Sequence, residues 1–250
     1  MATKPVLETR SLTKSFGSLL AVNEVDYRVP EGELCAVIGP NGAGKTTFFN
    51  LISGKLEPTA GGVFFEGEDI TGFPPHAVVK KGVGRSFQIT NIFPRLSVLD
   101  NVRIAVLARR GKTLDMFSPI EKHTEEQDEA LEILGEVELE HKAHHPTTEL
   151  GHGERRNLEL GITLALEPRL ILLDEPTAGM SIEETSSTID LVKKISHDKT
   201  VVFTEHDMSV VFSIADRISV LHQGSIIAEG TPDEIRNDDL VRLAYLGEEV

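Results

Sequence analysis

The chain is predicted to be an α/β protein with a parallel-sheet core, an N-terminal antiparallel β subdomain and a helical insertion. Three observations predict this. Short apolar runs such as Leu34-Cys35-Ala36-Val37-Ile38 and Leu170-Ile171-Leu172-Leu173 have no polar alternation, as strands buried on both faces require. Helical patterns follow those runs and alternate with them, which argues for a parallel sheet with crossover helices. Between about residues 96 and 142 the strand-like runs stop and helical spacing takes over.

Taken in order, residues 6–12 and 21–29 read as an antiparallel pair, with turn signals across residues 14–18. Residues 61–65 read as a strand. Pro74-Pro75 opens a short helix to about Lys80, because proline is tolerated in a first helical turn. Residues 83–87 read as a strand. Residues 97–102 and 125–137 have helical spacing, and residues 107–119 form a loose loop between them. Leu170–Asp174 is a strand. Residues 181–196 form a helix whose Ser181 and Glu184 make a capping box. Thr200–Thr204 is a strand, residues 208–215 a helix, and residues 217–221 and 225–229 a closing pair about a Gln223-Gly224 turn. The tail, residues 233–246, reads as a helix. The expected division is one domain over residues 1–250. Its core and β subdomain take residues 1–88 and 151–250, and its helical subdomain takes residues 89–150.

The chain has 250 residues, enough for one large domain. Its 40% hydrophobic and 26% charged residues are an ordinary globular balance. A net charge of −15 argues against a surface that wraps nucleic acid, which needs basic stripes to neutralise phosphates. Cys35 is the only cysteine, so no disulfide framework forms within the chain and a reducing compartment fits. It reads as a small buried core residue rather than a redox switch. No run approaches the roughly 18 apolar residues of a membrane span, and the N-terminus has no signal-peptide core, so a cytoplasmic location is expected.

Between the first apolar run and the helix after it lies Gly39-Pro40-Asn41-Gly42-Ala43-Gly44-Lys45-Thr46, followed by Thr47. It fits G-x-x-x-x-G-K-[ST] at every fixed position, in the strand–loop–helix context that the motif needs. Such a loop turns successive backbone N–H groups inward around phosphates, and the helix N-terminus adds its partial positive charge. Lys45 is then expected at the outer phosphates and the Thr46 hydroxyl at a magnesium ion. The second apolar run ends in Asp174-Glu175. Beside a phosphate loop, Asp174 reads as the magnesium-side acid, acting directly or through water, and Glu175 as the base that activates water.

With these motifs in this order, the chain resembles the nucleotide-binding subunit of an ABC transporter over nearly its whole length, and so a P-loop NTPase. The resemblance implies ATP and magnesium as ligands and ATP hydrolysis as the reaction. It places Phe16 where the family stacks an aromatic on adenine, and Gln88 where a glutamine contacts magnesium and senses the membrane partner. Gly151, His152, Gly153 and Glu154 stand where the family has its signature, which acts on the partner's ATP. His206 matches the histidine near the γ-phosphate, so Lys45, Glu175 and His206 are the expected catalytic residues. Each has a plainer reading: Phe16 as a packing staple, Gln88 as a surface amide, His206 as an ordinary satisfied histidine. His141, His144 and His145 read as a solvated group at a helix end, because no Cys or acid cluster of metal-site spacing accompanies them.

Two departures stand out. The signature's serine is Gly151 and its first glycine is His152, so a hydroxyl is missing. His152 either compensates when protonated or fills space. The usual aspartate in the segment after the acids is Ser181. Within the family, the H-G-E form of the signature, the 174–180 stretch and the Tyr245-Leu246-Gly247-Glu248 ending resemble the ATPases of branched-chain amino-acid and urea or amide importers. Met180-Ser181 and residues 220–225 lean toward the urea branch. A lipopolysaccharide-export ATPase is one alternative and a soluble ABC protein another. The implied partners are a second ATP-binding subunit (the same chain or a related one), transmembrane permeases and an extracytoplasmic solute-binding protein, with no nucleic acid. The implied location is the cytoplasmic face of the membrane.

Overall fold

The computed structural model describes residues 4–86, 92–112 and 124–246. Two sheets and a set of helices organise the chain. The first sheet has the order β2-β1-β4-β5, with β1 Leu7–Phe16, β2 Leu19–Val29, β4 Ala60–Phe65 and β5 Glu68–Asp69, all antiparallel. The second has the order β10-β9-β3-β8-β7-β6. Its strands are β3 Leu34–Ile38, β6 Val83–Ser86, β7 Leu170–Asp174, β8 Thr200–Thr204, β9 Arg217–His222 and β10 Ser225–Gly230. All neighbours in it are parallel except the β9–β10 hairpin at one edge.

The apolar runs are buried on both faces, as their lack of alternation requires. Leu34, Ala36 and Ile38 of β3 face one hydrophobic cluster, and Cys35 and Val37 face the other. Strands β7 and β8 divide in the same way: Ile171, Leu173, Val201 and Phe203 on one side, Leu170, Leu172 and Val202 on the other. The second cluster lies between the two sheets and takes in helix α1, Lys45–Ile52, through Phe48, Phe49, Leu51 and Ile52. Burial pushes the Cys35 thiol up to about 12, so it stays protonated as a core residue.

On the other face pack α3 Val98–Arg109, α4 Thr124–Glu136, α5 His152–Leu164 and α6 Ile182–Ser196. Helix α3 lies against α4 and α5. Ser97 caps α3 by accepting the Asp100 N–H at 3.0 Å. Ser181 caps α6 with the predicted box: Ser181 N–H donates to Glu184 Oε2 at 2.9 Å, and Glu184 N–H to Ser181 Oγ at 3.2 Å. Helix α7 is Met208–Ile214, and α2 is Pro75–Lys81 with Pro75 in its first turn.

Three details differ from the sequence expectation. The first hairpin turns within Gly17-Ser18 rather than across residues 14–18: Lys14, Ser15 and Phe16 pair with Val22, Leu20 and Leu19. Gly17 supplies the left-handed residue, φ 61°, that so short a turn needs. The tail is two helices, α8 Pro232–Asn237 and α9 Asp239–Leu246. Asp238 breaks it by accepting the Leu240 N–H at 2.8 Å and the Val241 N–H at 3.1 Å, a local bond that competes with helix continuation. Helix α3 runs to Arg109, so the first residues of the expected 107–119 loop are helical. Residues 113–119 of that loop, and Phe87 at the end of the expected 83–87 strand, lie outside the described residues. His141, within the 3-10 turn Glu140–Lys142, and His144 and His145, between it and a second turn at Thr147–Glu149, are all exposed, and His145 Nδ1 lies 2.9 Å from Glu149 Oε2.

An ion-pair network holds α3 to α4. Arg110 reaches Glu125, Glu126 and Glu129, and Lys112 Nζ donates to the buried Glu126 at 2.5 Å. The Lys112 hydrogen bond outweighs desolvation and lowers the Glu126 carboxyl from 4.5 to about 2. A carboxyl depressed in the folded state stabilises fully above its unfolded value and loses that contribution as pH falls toward the folded one. The thermal midpoint is therefore expected to drop between pH 4.5 and about 2. Glu126→Gln should make that decline shallower, as read by thermal melts followed by circular dichroism.

Candidate functional site

The loop from Gly39 to Gly44 joins the end of β3 to the start of α1 and is clamped by both sheets. A Cβ on Gly39, at φ 154°, would lie 2.0 Å from the Leu221 carbonyl oxygen of β9. A Cβ on Gly44, at φ 106°, would lie 2.3 Å from the Ala21 carbonyl oxygen of β2. Only glycine permits both the left-handed backbone and the close approach. Behind the loop, Gly224 N–H donates to the Ala43 carbonyl at 2.9 Å, and Asn23 N–H to the Gly224 carbonyl at 2.8 Å. The Gln223-Gly224 turn thus links the loop to the hairpin sheet.

Above the loop is a cavity of about 480 Å3. It is lined by Phe16, Leu19, Leu20 and Ala21 of the first hairpin, by Asn41, Gly42, Ala43, Gly44, Lys45, Thr46 and Thr47 of the loop and the first turn of α1, and by Glu175, His206 and Gln223. Most of the expected nucleotide residues therefore meet in one place. Phe16 is 48% exposed, which leaves its ring free to stack on a flat ligand; Lys14 Nζ lies 5.2 Å from its centroid. Lys45 is buried, with Nζ donating to the Gly39 carbonyl at 2.5 Å and to the Pro40 carbonyl at 3.1 Å. Thr46 is exposed at the first turn of α1.

Glu175 follows β7 with φ 51°, a left-handed backbone costing a non-glycine residue roughly 1–3 kcal/mol. Its N–H donates to the Thr204 carbonyl at 3.1 Å and contacts Thr204 Oγ1 at 3.2 Å, bonds to the neighbouring strand that hold the turn. The turn delivers the Glu175 carboxylate to the cavity, where Oε1 lies 2.7 Å from His206 Nε2.

Asp174 lies beneath, 2% exposed. Its Oδ1 accepts from Thr204 Oγ1 at 2.9 Å and its Oδ2 from the Arg85 guanidinium at 2.9 Å. Gly39 and Pro40, like Asp174, are not among the residues that line the cavity. Nor do Gly151, His152, Gly153 and Glu154, which open α5 elsewhere: Gly151 N–H donates to Glu154 Oε2 at 2.8 Å, and the His152 ring lies beside Gly179. Gln88 lies outside the described residues.

The matching family model is that of the ABC transporter, over residues 22–178, and a second, the branched-chain amino acid ATP-binding cassette transporter, matches residues 225–250. The chain belongs to the ABC transporter family. It is 40% identical to the high-affinity branched-chain amino acid transport ATP-binding protein BraF of Pseudomonas aeruginosa, over 98% of this chain and 99% of that one. It is 36% identical to the lipopolysaccharide export system ATP-binding protein LptB of Escherichia coli, over 97% and 98%. Among solved structures, an ATP-binding cassette of an ABC transporter in its ADP conformation superposes with a TM-score of 0.86 at 29% identity, covering 98% of this chain and 100% of that one. As an ABC cassette, the chain binds nucleotide and hydrolyses ATP to power transport.

The cassette also holds site residues that motif reading missed. Glu205, 4% exposed, accepts from Thr177 N–H at 2.8 Å and Thr177 Oγ1 at 2.6 Å through one oxygen, and from His206 N–H at 3.1 Å through the other. It ties the turn after the acids to the histidine. Arg85 is buried under Asp174. The available signal was a charged residue in a strand otherwise bound for the core, which demands a partner.

Gly44→Ala should destabilise the chain by about 1–3 kcal/mol, because a left-handed backbone and a blocking carbonyl act together. It should also remove nucleotide binding. Thermal unfolding and titration with a fluorescent nucleotide check both outcomes.

Proposed function

We propose that this cassette powers import of branched-chain amino acids or of urea and short amides, and that it works as one of a pair docked on membrane-spanning permeases. The observation that carries the mechanism is the Glu175–His206 contact at 2.7 Å, in the lining of the cavity that the phosphate loop also lines. The match of residues 225–250 to the branched-chain cassette model favours the importer class. The likeness to the lipopolysaccharide-export protein supports export as the second reading.

In this mechanism the adenine stacks on Phe16, and the β- and γ-phosphates settle on the N–H groups between Gly42 and Thr47. Lys45 exchanges its two loop carbonyls for phosphate oxygens. Glu175 accepts a proton from a water whose oxygen attacks the γ-phosphorus. The bond from that phosphorus to the bridging oxygen breaks, and ADP departs with the electron pair. His206 steadies the γ-phosphate while its bond to Glu175 holds the base in place.

The residues present fit a magnesium ion. Asp174 keeps lone pairs beyond its two hydrogen bonds, and the exposed Thr46 hydroxyl is a second hard oxygen donor. Magnesium takes one or two carboxylates and completes its shell with phosphates and water, so a donor set this small is enough. Thr46, Asp174 and, by resemblance, Gln88 would hold it, and when bound it neutralises charge on the phosphate oxygens.

The cavity takes no lining from Gly151–Glu154, so a second copy or a related chain would supply that segment over the γ-phosphate. The 13-residue helix α5 would then direct its N-terminal dipole at that phosphate. Gly151 offers no hydroxyl there, which forgoes a charge-assisted bond worth roughly 1.5–3 kcal/mol. ATP joins the pair and its cleavage parts it, so nucleotide state biases closed against open forms. Among the described residues no helix is long and apolar enough to cross a membrane. The permease and solute-binding partners are, in this reading, separate chains. The domain division follows the same logic: residues 89–150 as the helical lever, residues 1–88 and 151–250 as the catalytic body.

Glu175→Gln should still bind ATP, lose hydrolysis by about 10²–10⁴-fold as expected for removal of a general base, and accumulate as an ATP-dependent dimer on size exclusion. Undiminished hydrolysis would remove Glu175 from this role. For the cargo, loss of the gene should abolish uptake of labelled leucine or urea; intact uptake with defective lipopolysaccharide export would select the second reading.

A further inference from the structure

We propose that Arg85 is a positioning residue for the magnesium-side carboxylate, setting the direction in which Asp174 offers its remaining lone pairs. The inference rests on the reading of Asp174 as the metal-side acid. Arg85 sits on β6, one strand away from Asp174 in the parallel sheet. Both side chains are almost wholly buried, at 6% and 3% exposure, and they meet at 2.9 Å. The other arm of the guanidinium donates to Asn50 Oδ1 at 2.8 Å and to Ser53 Oγ at 2.9 Å, at the far end of α1. Its carbon lies 5.8 Å from the centre of the Phe49 ring.

The fork therefore has one arm on the acid and one on the helix that the phosphate loop opens. A planar guanidinium held at both arms leaves Asp174 Oδ2 a single direction, and Thr204 Oγ1 does the same for Oδ1 from β8 at 2.9 Å. Three elements thus converge on one carboxylate: α1 through Arg85, β6 by carrying it, and β8 through Thr204. A carboxylate committed in this way keeps its free lone pairs aimed without waiting for the ion. It is also partly neutralised by the arginine, which suits a site that shares its cation with phosphates. Lysine cannot reproduce this, because an ammonium is a point charge that cannot bridge the acid and the helix end together.

The test titrates Mg2+ into the full chain with a fluorescent ATP analogue and follows nucleotide binding. Arg85→Lys keeps the charge and loses the fork. It should raise the Mg2+ concentration at half-saturation by about 10-fold or more, the usual consequence of disturbing the partners of a metal-binding group. Nucleotide affinity without Mg2+ should fall by a clearly smaller factor than the Mg2+ midpoint rises, since no N–H group of the loop is changed. Asn50→Ala, which removes only the brace and leaves no buried charge unpaired, should move the Mg2+ midpoint in the same direction by less. It serves as the readout if Arg85→Lys folds poorly. An unchanged Mg2+ midpoint in a folded variant overturns the inference alone. So does an equal loss of affinity with and without Mg2+, which would make Arg85 merely structural. A native chain that binds nucleotide without any dependence on Mg2+ overturns the reading of Asp174 itself, and this inference with it.

Discussion

The close approach of backbone to backbone at the phosphate loop is the constraint on which the site depends. The carbonyls of Leu221 and Ala21, one from each sheet, occupy the space where a Cβ of Gly39 or Gly44 would stand. The loop is thus a wedge between two sheets rather than a flexible connection. Its shape follows from the stacking of those sheets over α1, which fills the space between them with Phe48, Phe49, Leu51 and Ile52. Backbone N–H groups fixed by packing need no reorganisation when an anion arrives, and that is where a phosphate cradle gains its strength.

Beneath the wedge lies a layer of charge that a hydrophobic core would normally reject. Arg85 and Asp174 are buried as a pair, and Glu205 is buried against Thr177 and the His206 backbone. Replacing such a pair with apolar residues is often neutral for stability, whereas breaking one costs about 3–5 kcal/mol. Stability alone therefore does not explain these charges. Their common property is direction: each holds a cavity residue or the acid beneath it in one orientation. The left-handed Glu175 belongs to the same pattern, with local backbone cost offset by hydrogen bonds to Thr204.

Most strands were legible in the sequence because they are short, apolar and buried on both faces. Leu170–Asp174 and Thr200–Thr204 fall where the residues place them, and Ser181 with Glu184 marked the start of α6. The misreadings have local causes. Polar Lys14 and Ser15 look like a turn but sit half-buried in the hairpin, where Lys14 Nζ donates to the Glu57 carbonyl at 2.7 Å and Ser15 N–H to Thr59 Oγ1 at 3.1 Å. Asp238 sits in a helical pattern, yet its carboxylate accepts the next N–H groups and ends the helix. In the site, the loop, Glu175, Phe16 and His206 were named by motif or resemblance, and the structure brings them around one cavity. Arg85 and Glu205 were not named, because nothing in a one-dimensional pattern says which buried charge meets which partner.

The sequence by itself determined the local chemistry: where helices begin, which runs must be buried, and that a phosphate loop precedes a pair of acids. These are short-range matters of sterics, capping and periodicity, decided within a few residues. Only the tertiary structure decided that Arg85 grips an acid 89 positions away, that Glu175 and His206, 31 apart, meet at 2.7 Å, and that the signature segment lines no part of its own chain's cavity. Such contacts are set by strand order and sheet stacking, and parallel strands acquire neighbours through crossovers whose partners no local pattern encodes.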